Sequence, residues 1–303
     1  MHHPVLLKET VDGLNIKKDG LYIDATVGEG GHLIEIARRG GKVLGIDADL
    51  EQIKRLNVIL GTSEARTPES LLDSGRAPPT KLGSLARITN NITLVQGNFA
   101  DIEKIARENN FFPVNGILFD LGLSVEQIEK SGRGFSYKKL EEPLDMRIGT
   151  TLTTTAADLI RNLNQNELYE IFAHYGEEVN SLAISQALIR ARSVRPINEV
   201  GDLIEVIDQA LGGKNTKVYA RVFQALRIAV NDEFTNLKKG LVGALKILKK
   251  PGRIVAISFH SLEDRLVKRF SKENSLKQLN KKVIVSKSGL AYERSAKMRI
   301  IQV

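Results

Sequence analysis

Five short apolar runs, at 21–24, 42–47, 92–96, 115–121 and 253–259, stand out from longer stretches in which apolar residues recur every three or four positions. Such runs, bounded by Gly, Pro and Asp, signal buried strands, and the periodic stretches between the first four signal helices. Strands alternating with helices imply a parallel sheet covered on both faces, so the expected fold class is α/β. Between the fourth and fifth runs the pattern turns helical. Starts resembling capping boxes occur at Thr155 with Asp158 and at Asn164 with Glu167, and Leu203, Ile204, Ile207 and Leu211 share one helix face. A helical second domain is therefore expected over 135–218, inserted into a core formed by 1–134 and 219–303. After it the chain is expected to return through a helix ending near Lys250, turn at Pro251-Gly252, and lay down the fifth strand. Two short β-like runs at 283–285 and 298–303 then finish the sheet as a hairpin. Residues 61–90, rich in Gly, Ser, Thr and Pro with charges of both signs, read as a disordered or loosely held insertion.

Composition narrows the classes. A chain of 303 residues with 42% hydrophobic content supports one large or two ordinary domains with a real core. The absence of cysteine excludes disulfide frameworks, thiolate zinc sites and cysteine nucleophiles. No basic segment leads into an apolar one at the start, and no run approaches the length of a membrane span, so a soluble cytoplasmic protein is expected. Forty-four Lys and Arg against 36 Asp and Glu give a net charge of +8, which favours a polyanionic partner through counterion release. Aromatic content of 5% with no tryptophan leaves little for extensive base stacking.

Candidate chemistry gathers at strand ends, where open α/β sheets bind ligands. The first strand runs into Asp24-Ala-Thr-Val-Gly28-Glu-Gly30-Gly31-His32. Glycines there permit a tight turn and close approach to a ligand, ahead of a helix with unpaired amides. The third glycine of a dinucleotide fingerprint is replaced by Leu33. A carboxylate at Asp24 would repel a pyrophosphate but suits a ligand with an ammonium and a sulfonium and no phosphate, such as S-adenosylmethionine. Asp47 ends the second strand nineteen residues beyond Gly28, the usual place for an acid on ribose hydroxyls; it also suits a helix N-cap, a part Asp49 fills equally well. Asn98-Phe99 follows the third strand, Asp120-Leu-Gly122-Leu-Ser124 the fourth, and Ser258-Phe-His260-Ser-Leu-Glu263-Asp264 the fifth. Phe99 suits an adenine ring or the core. His260 suits a general base or a buried histidine satisfied by Ser258 or Glu263. Glu263, Asp264 and Arg265 also suit the start of a helix. No His and carboxylate grouping has metal-ligand spacing, and no serine triad can be assigned.

A set of motifs in one order carries a resemblance. They are His3-Pro4-Val5-Leu6-Leu7, the segment from Asp24 to His32, Asp120-Leu-Gly-Leu-Ser124 with Gln127, and Arg133-Gly-Phe-Ser136. Pro143-Leu-Asp-Met-Arg147, Tyr175-Gly-Glu-Glu178, Phe223-Gln-Ala-Leu-Arg-Ile228, Ser258-Phe-His-Ser-Leu-Glu-Asp-Arg265 and Arg294-Ser-Ala-Lys-Met-Arg299 follow. Together they resemble the bacterial small-subunit ribosomal RNA cytosine-N(4) methyltransferase family (RsmH, also called MraW), over nearly the whole chain except 61–90 and roughly 270–290. The resemblance implies a class I S-adenosylmethionine-dependent methyltransferase core, an inserted helical substrate-recognition domain, and methylation of a cytidine in the decoding region of 16S rRNA, so that small-subunit ribosomal RNA, naked or within the assembled small subunit, is the expected partner. It implies cofactor contacts from Gly30, Gly31 and His32, from Asp47 on the ribose, Phe99 by the adenine, and Asp120 with Gln127 near the methionine end. Three departures stand out: Val125 in place of a serine, the insertion at 61–90, and Ala291-Tyr292-Glu293 before the last basic motif.

A cytosine amine is a poor nucleophile, so the enzyme must align it and hold acceptors on its hydrogens. Asp120, Asp145, Glu263 and Asp264 are the candidate acceptors, with His260 shaping the pocket. Arg133, Arg147, Arg190, Arg192, Arg195 and Arg221 are candidate phosphate contacts, each also readable as a solvated surface charge. The rivals are a methyltransferase for another RNA site or a small molecule, a noncatalytic RNA-binding assembly factor, and, more distantly, an NAD-dependent dehydrogenase, disfavoured by Asp24 and Leu33.

Overall fold

The computed structural model describes residues 4–61, 88–149, 151–280, 282–286 and 293–303, with the side chain of Val125 set aside. The insertion expected at 61–90 thus falls almost wholly outside the described residues, as do His3, Ala291 and Tyr292. The chain divides into two compact units, Met1–Gly122 with Thr235–Val303, and Leu123–Phe234.

In the first unit, β1 (Leu21–Asp24), β2 (Lys42–Asp47), β3 (Ile92–Gln96), β4 (Val114–Asp120) and β5 (Leu248–Ser258) run parallel, joined by the short β6 (Lys277–Gln278) and β7 (Ile284–Val285) and by β8 (Lys297–Gln302). The order is β3-β2-β1-β4-β5-β8-β6, with β8 antiparallel to β5 and β7 paired to β8. The order reverses between β1 and β4, the switch point at which such sheets bind ligands. Strand periodicity sorts the core onto two faces. Ile23, Ile117, Phe119, Ile254 and Ala256 pack against α4 (Ile102–Glu108), α11 (Glu233–Ile247) and α12 (Ser261–Glu273). Tyr22, Leu118, Val255 and Ile257 pack against α1 (Leu7–Leu14), α2 (Gly31–Arg38) and α3 (Leu50–Leu60). Each fully buried Ile, Leu, Val or Phe among them contributes about 1.5–3 kcal/mol. The fifth strand begins at Leu248, ahead of the expected Arg253, because Leu248 pairs with Val114 before a register irregularity.

The second unit is helical: α5 (Val125–Lys130), α6 (Ala156–Asn162), α7 (Gln165–Gly176), α8 (Ser181–Arg192), α9 (Val200–Leu211) and α10 (Thr216–Asn231). Both expected capping boxes form, at Thr155 with Asp158 and Asn164 with Glu167. The unit is longer than the expected 135–218 at both ends. Val218, Val222, Phe223, Leu226 and Val230 of α10 complete its core with Leu168 and Phe172, so α10, expected to fall mostly in the core from 219 onward, belongs here, while the return helix expected to end near Lys250 is α11, most of it in the first unit.

Candidate active site

Three carboxylates collect at the carboxyl ends of β1, β2 and β4. The hydroxyl of Thr26 accepts the Asp120 amide at 2.7 Å, and the Thr26 amide donates to Asp24 Oδ1 at 3.3 Å, tying the ends of β1 and β4 together. Asp47 takes the Gly28 amide on Oδ2 at 2.8 Å and the Asp49 amide on Oδ1 at 2.9 Å. Asp49 caps α3 by accepting from Glu51, which leaves Asp47 at the turn and off the cap. Gly30 has φ of 80°, favouring glycine, and a Cβ there would meet Leu56 at 2.5 Å. A Cβ on Gly31 would sit 2.1 Å from Pro4 Cγ. These two glycines admit protein packing, Leu56 and the N-terminal segment, where a ligand was the expected neighbour.

His32 lies at the start of α2, 5% exposed, with Nε2 3.4 Å from Asp120 Oδ2. Burial opposes its charge, yet Asp120, Asp24 and the facing Val5 backbone outweigh that and hold the imidazole above its ordinary range. Asp24, 1% exposed, is pushed up to about 7 by burial, with His32 pulling it back and Asp120 and Asp47 adding to the rise. Burial likewise raises Asp47 to about 6, against the two amides it accepts. Asp24 Oδ2, Asp120 Oδ1 and both His32 ring nitrogens are buried without a hydrogen-bond partner among the described residues. Buried polar atoms are nearly always satisfied, so this cluster is built for a partner from outside the chain. Two orphaned carboxylate oxygens suit the donors of an ammonium, and three acids around one turn would repel a pyrophosphate. The donor set therefore fits S-adenosylmethionine, with Asp24, His32, Asp47 and Asp120 as the residues that would hold it.

Asn98 Oδ1 accepts the Ala100 amide at 2.9 Å, capping a short turn over Phe99–Asp101. Phe99 is partly buried and meets Phe119 edge-on at 5.9 Å, so its ring borders the core as well as the ligand edge. Gln127 lies in the helical unit and closes a reciprocal cap with Ser124, donating its amide to Ser124 Oγ at 3.1 Å and accepting the Ser124 amide at 3.0 Å.

Several expected chemical residues make bracing bonds within the protein. Asp145 is held by both arms of Arg147, at 2.6 and 2.7 Å, and Arg147 also donates to the Leu152 carbonyl. Burial opposes the charge of Asp145, but the Arg147 bonds prevail and keep it below the usual carboxylate range. Asp264 is held the same way by Arg299, at 2.6 and 2.8 Å, pinning α12 to β8. His260 caps α12 by accepting the Glu263 amide, Glu263 accepts the Phe259 amide at 2.8 Å, and His260 Nε2 lies 3.1 Å from Glu263 Oε1; this pair, Glu263 buried and His260 partly so, closes a helix start. Asp120 is the expected acceptor that keeps a buried, unpartnered oxygen.

The arginines show the same pattern. Arg133 donates to the Arg147 and Ile148 carbonyls, Arg192 to those of Ile160 and Leu163, and Arg195 pairs with Glu205 and Asp202. Arg221 pairs at 2.6 Å with Glu178, whose side chain is fully buried. Arg190 makes no comparable side-chain bond to a described residue. Of the departures from the family pattern, Glu293 is buried and accepts from Ser286 at 2.7 Å. Sequence reasoning gave no part to Thr26, Pro4 or Val5, although all three stand in the motifs it singled out.

The profile of the MraW methylase family matches residues 1–71 and 80–302. Among curated relatives, the chain is 42% identical to "Ribosomal RNA small subunit methyltransferase H" of Cytophaga hutchinsonii, over 89% of this chain and 82% of that one. It is 40% identical to the protein of the same name from Dictyoglomus thermophilum, over 99% of this chain and 96% of that one. It is 38% identical to that of Clostridium botulinum, over 90% and 81%.

Proposed function

This chain belongs to the MraW methylase family, and from that premise we infer that it methylates small-subunit ribosomal RNA with S-adenosylmethionine as donor, at the exocyclic N4 of a cytidine in the decoding region. The observation that carries the cofactor reading is the buried cluster of Asp24, His32 and Asp120, with its unpartnered oxygens and nitrogens at the β1/β4 switch point. When bound, the cofactor supplies a methyl group made electrophilic by its sulfonium.

The chain's own residues do the rest. Asp24 receives the ammonium of the methionine end, and His32 holds Asp120 by charge at 3.4 Å. Asp47, fixed by the Gly28 and Asp49 amides, keeps a lone pair on each oxygen for ribose hydroxyls. Asn98 and Phe99 serve the adenine. Asp120 accepts a hydrogen bond from the cytosine amine and takes up the proton that this nitrogen loses as its new bond to carbon forms. Bringing the base within reach requires unstacking it, at a cost of about a few kcal/mol, and the helical unit is assigned to holding the surrounding RNA. The reading makes the assembled small subunit the substrate and the cytoplasm the site of action; no described helix is long and apolar enough to cross a membrane.

The test is methyl transfer from labelled S-adenosylmethionine to small subunits lacking the modification, followed by nucleoside digestion and mass spectrometry. N(4)-methylated cytidine is the expected product. Cofactor binding without transfer to subunits or to naked 16S rRNA would overturn the reading.

A further inference from the structure

Five of the six candidate arginines are engaged in bonds within the protein, and a groove on the first unit offers further cations. It measures about 420 Å³ and runs between the Phe99–Asp101 turn, the start of α4 and the middle of α11, lined by Lys104, Lys238, Lys239 and Lys246 together with Asp101 and Glu103. All four lysines are exposed. Glu103 is occupied by Lys246 at 2.9 Å and by Arg107, and Lys104 stands 3.9 Å from Glu108. Lys238 and Lys239 form no ion pair with a described residue.

Glycines let the helix of the groove approach the turn closely. A Cβ on Gly243 would come 2.8 Å from Ile102, and one on Gly240 within 3.0 Å of the Phe99 carbonyl. The helix therefore lies against the turn with bare backbone, while its lysines line the opening. That placement matters because the turn opens with Asn98 and Phe99, at the ligand edge of the sheet. Nucleotides flanking a base presented at that edge carry their phosphates past it.

We propose that the Lys104, Lys238, Lys239 and Lys246 groove binds the sugar-phosphate backbone of the substrate RNA next to the target cytidine. This rests on the ribosomal RNA reading above. Ammonium groups in a groove with backbone at its floor bind phosphates as point charges without reading sequence, which suits positioning beside a base recognised elsewhere.

The experiment compares wild type with Lys238→Glu/Lys239→Glu and with the milder Lys238→Ala/Lys239→Ala, using naked 16S rRNA and small subunits at several salt concentrations. Loss of two phosphate contacts should reduce the slope of log affinity against log salt by about 1.4–1.8. For the Glu pair, KM for the RNA substrate should rise on the order of tenfold near 0.1 M salt, with kcat, S-adenosylmethionine affinity and melting temperature unchanged. Unchanged salt slopes in both variants would overturn the proposal, as would a loss confined to assembled subunits, which would point to a ribosomal protein at the groove. Wild type that neither binds nor methylates the RNA would instead overturn the functional reading itself.

Discussion

Replacing Asp24 by Asn should stabilise the cofactor-free protein at alkaline pH while weakening its hold on S-adenosylmethionine. Burial pushes this carboxyl from 3.8 up to about 7 in the folded chain. In the unfolded chain it loses its proton near 3.8, so between about pH 4 and 7 the folded state binds more protons than the unfolded one. Stability from this group is therefore full below about pH 4 and is lost as pH rises through about 7. The span from 3.8 to about 7, at about 1.36 kcal/mol per pH unit, sets a ceiling of about 4 kcal/mol. Asn keeps an oxygen for the Thr26 amide and carries no charge to bury. At about 2–4 °C per kcal/mol for a protein approaching this size, the variant should melt several degrees above wild type at pH 8, with the gap closing steadily towards pH 4. Removing a charged partner of the cofactor's ammonium should raise the S-adenosylmethionine Kd about 10- to 100-fold. Thermal melts of the cofactor-free protein from pH 5 to 8, with calorimetric titration at pH 7.5, measure both effects. Parallel pH curves, or a variant that melts no higher than wild type at pH 8, would refute the reasoning.

Asp264→Ala and Arg299→Ala should each cost about 3 kcal/mol by leaving a mostly buried charge alone, and the double variant less than their sum; urea denaturation checks this, with S-adenosylmethionine affinity expected to hold in all three. Gly31→Ala forces a Cβ to within 2.1 Å of Pro4 Cγ; overpacking should cost about 1–3 kcal/mol, and cofactor affinity should fall as the N-terminal segment shifts, both readable in melts with and without ligand. Asp120→Asn should lower single-turnover methyl transfer by about 100-fold or more, and a full rate would show that another group accepts the amine proton.

The strands were legible because burial on both faces leaves a continuous apolar run. β1, β2 and β3 begin and end where the sequence placed them. The extent of the helical unit was not legible, since the apolar face of α10 states that the helix packs without stating against which core. The site divides along the same line. Asp24, His32, Asp47 and Asp120 could be singled out because each directly follows a strand or the first glycine turn, a local property. Asp264 stands equally well beside a strand end, yet its partner Arg299 lies 35 residues away, and Arg221 finds Glu178 across 43. A charged residue in sequence does not disclose a long-range partner that will consume it. What separates chemistry from bracing is whether a buried polar atom is left over after folding. By that measure Asp24, His32 and Asp120 are incomplete in the protein alone, whereas Asp145 and Asp264 are complete. The same reasoning directs the proposed phosphate contacts away from arginines engaged with carboxylates and carbonyls and towards the exposed Lys238 and Lys239 of α11, which form no ion pair with a described residue.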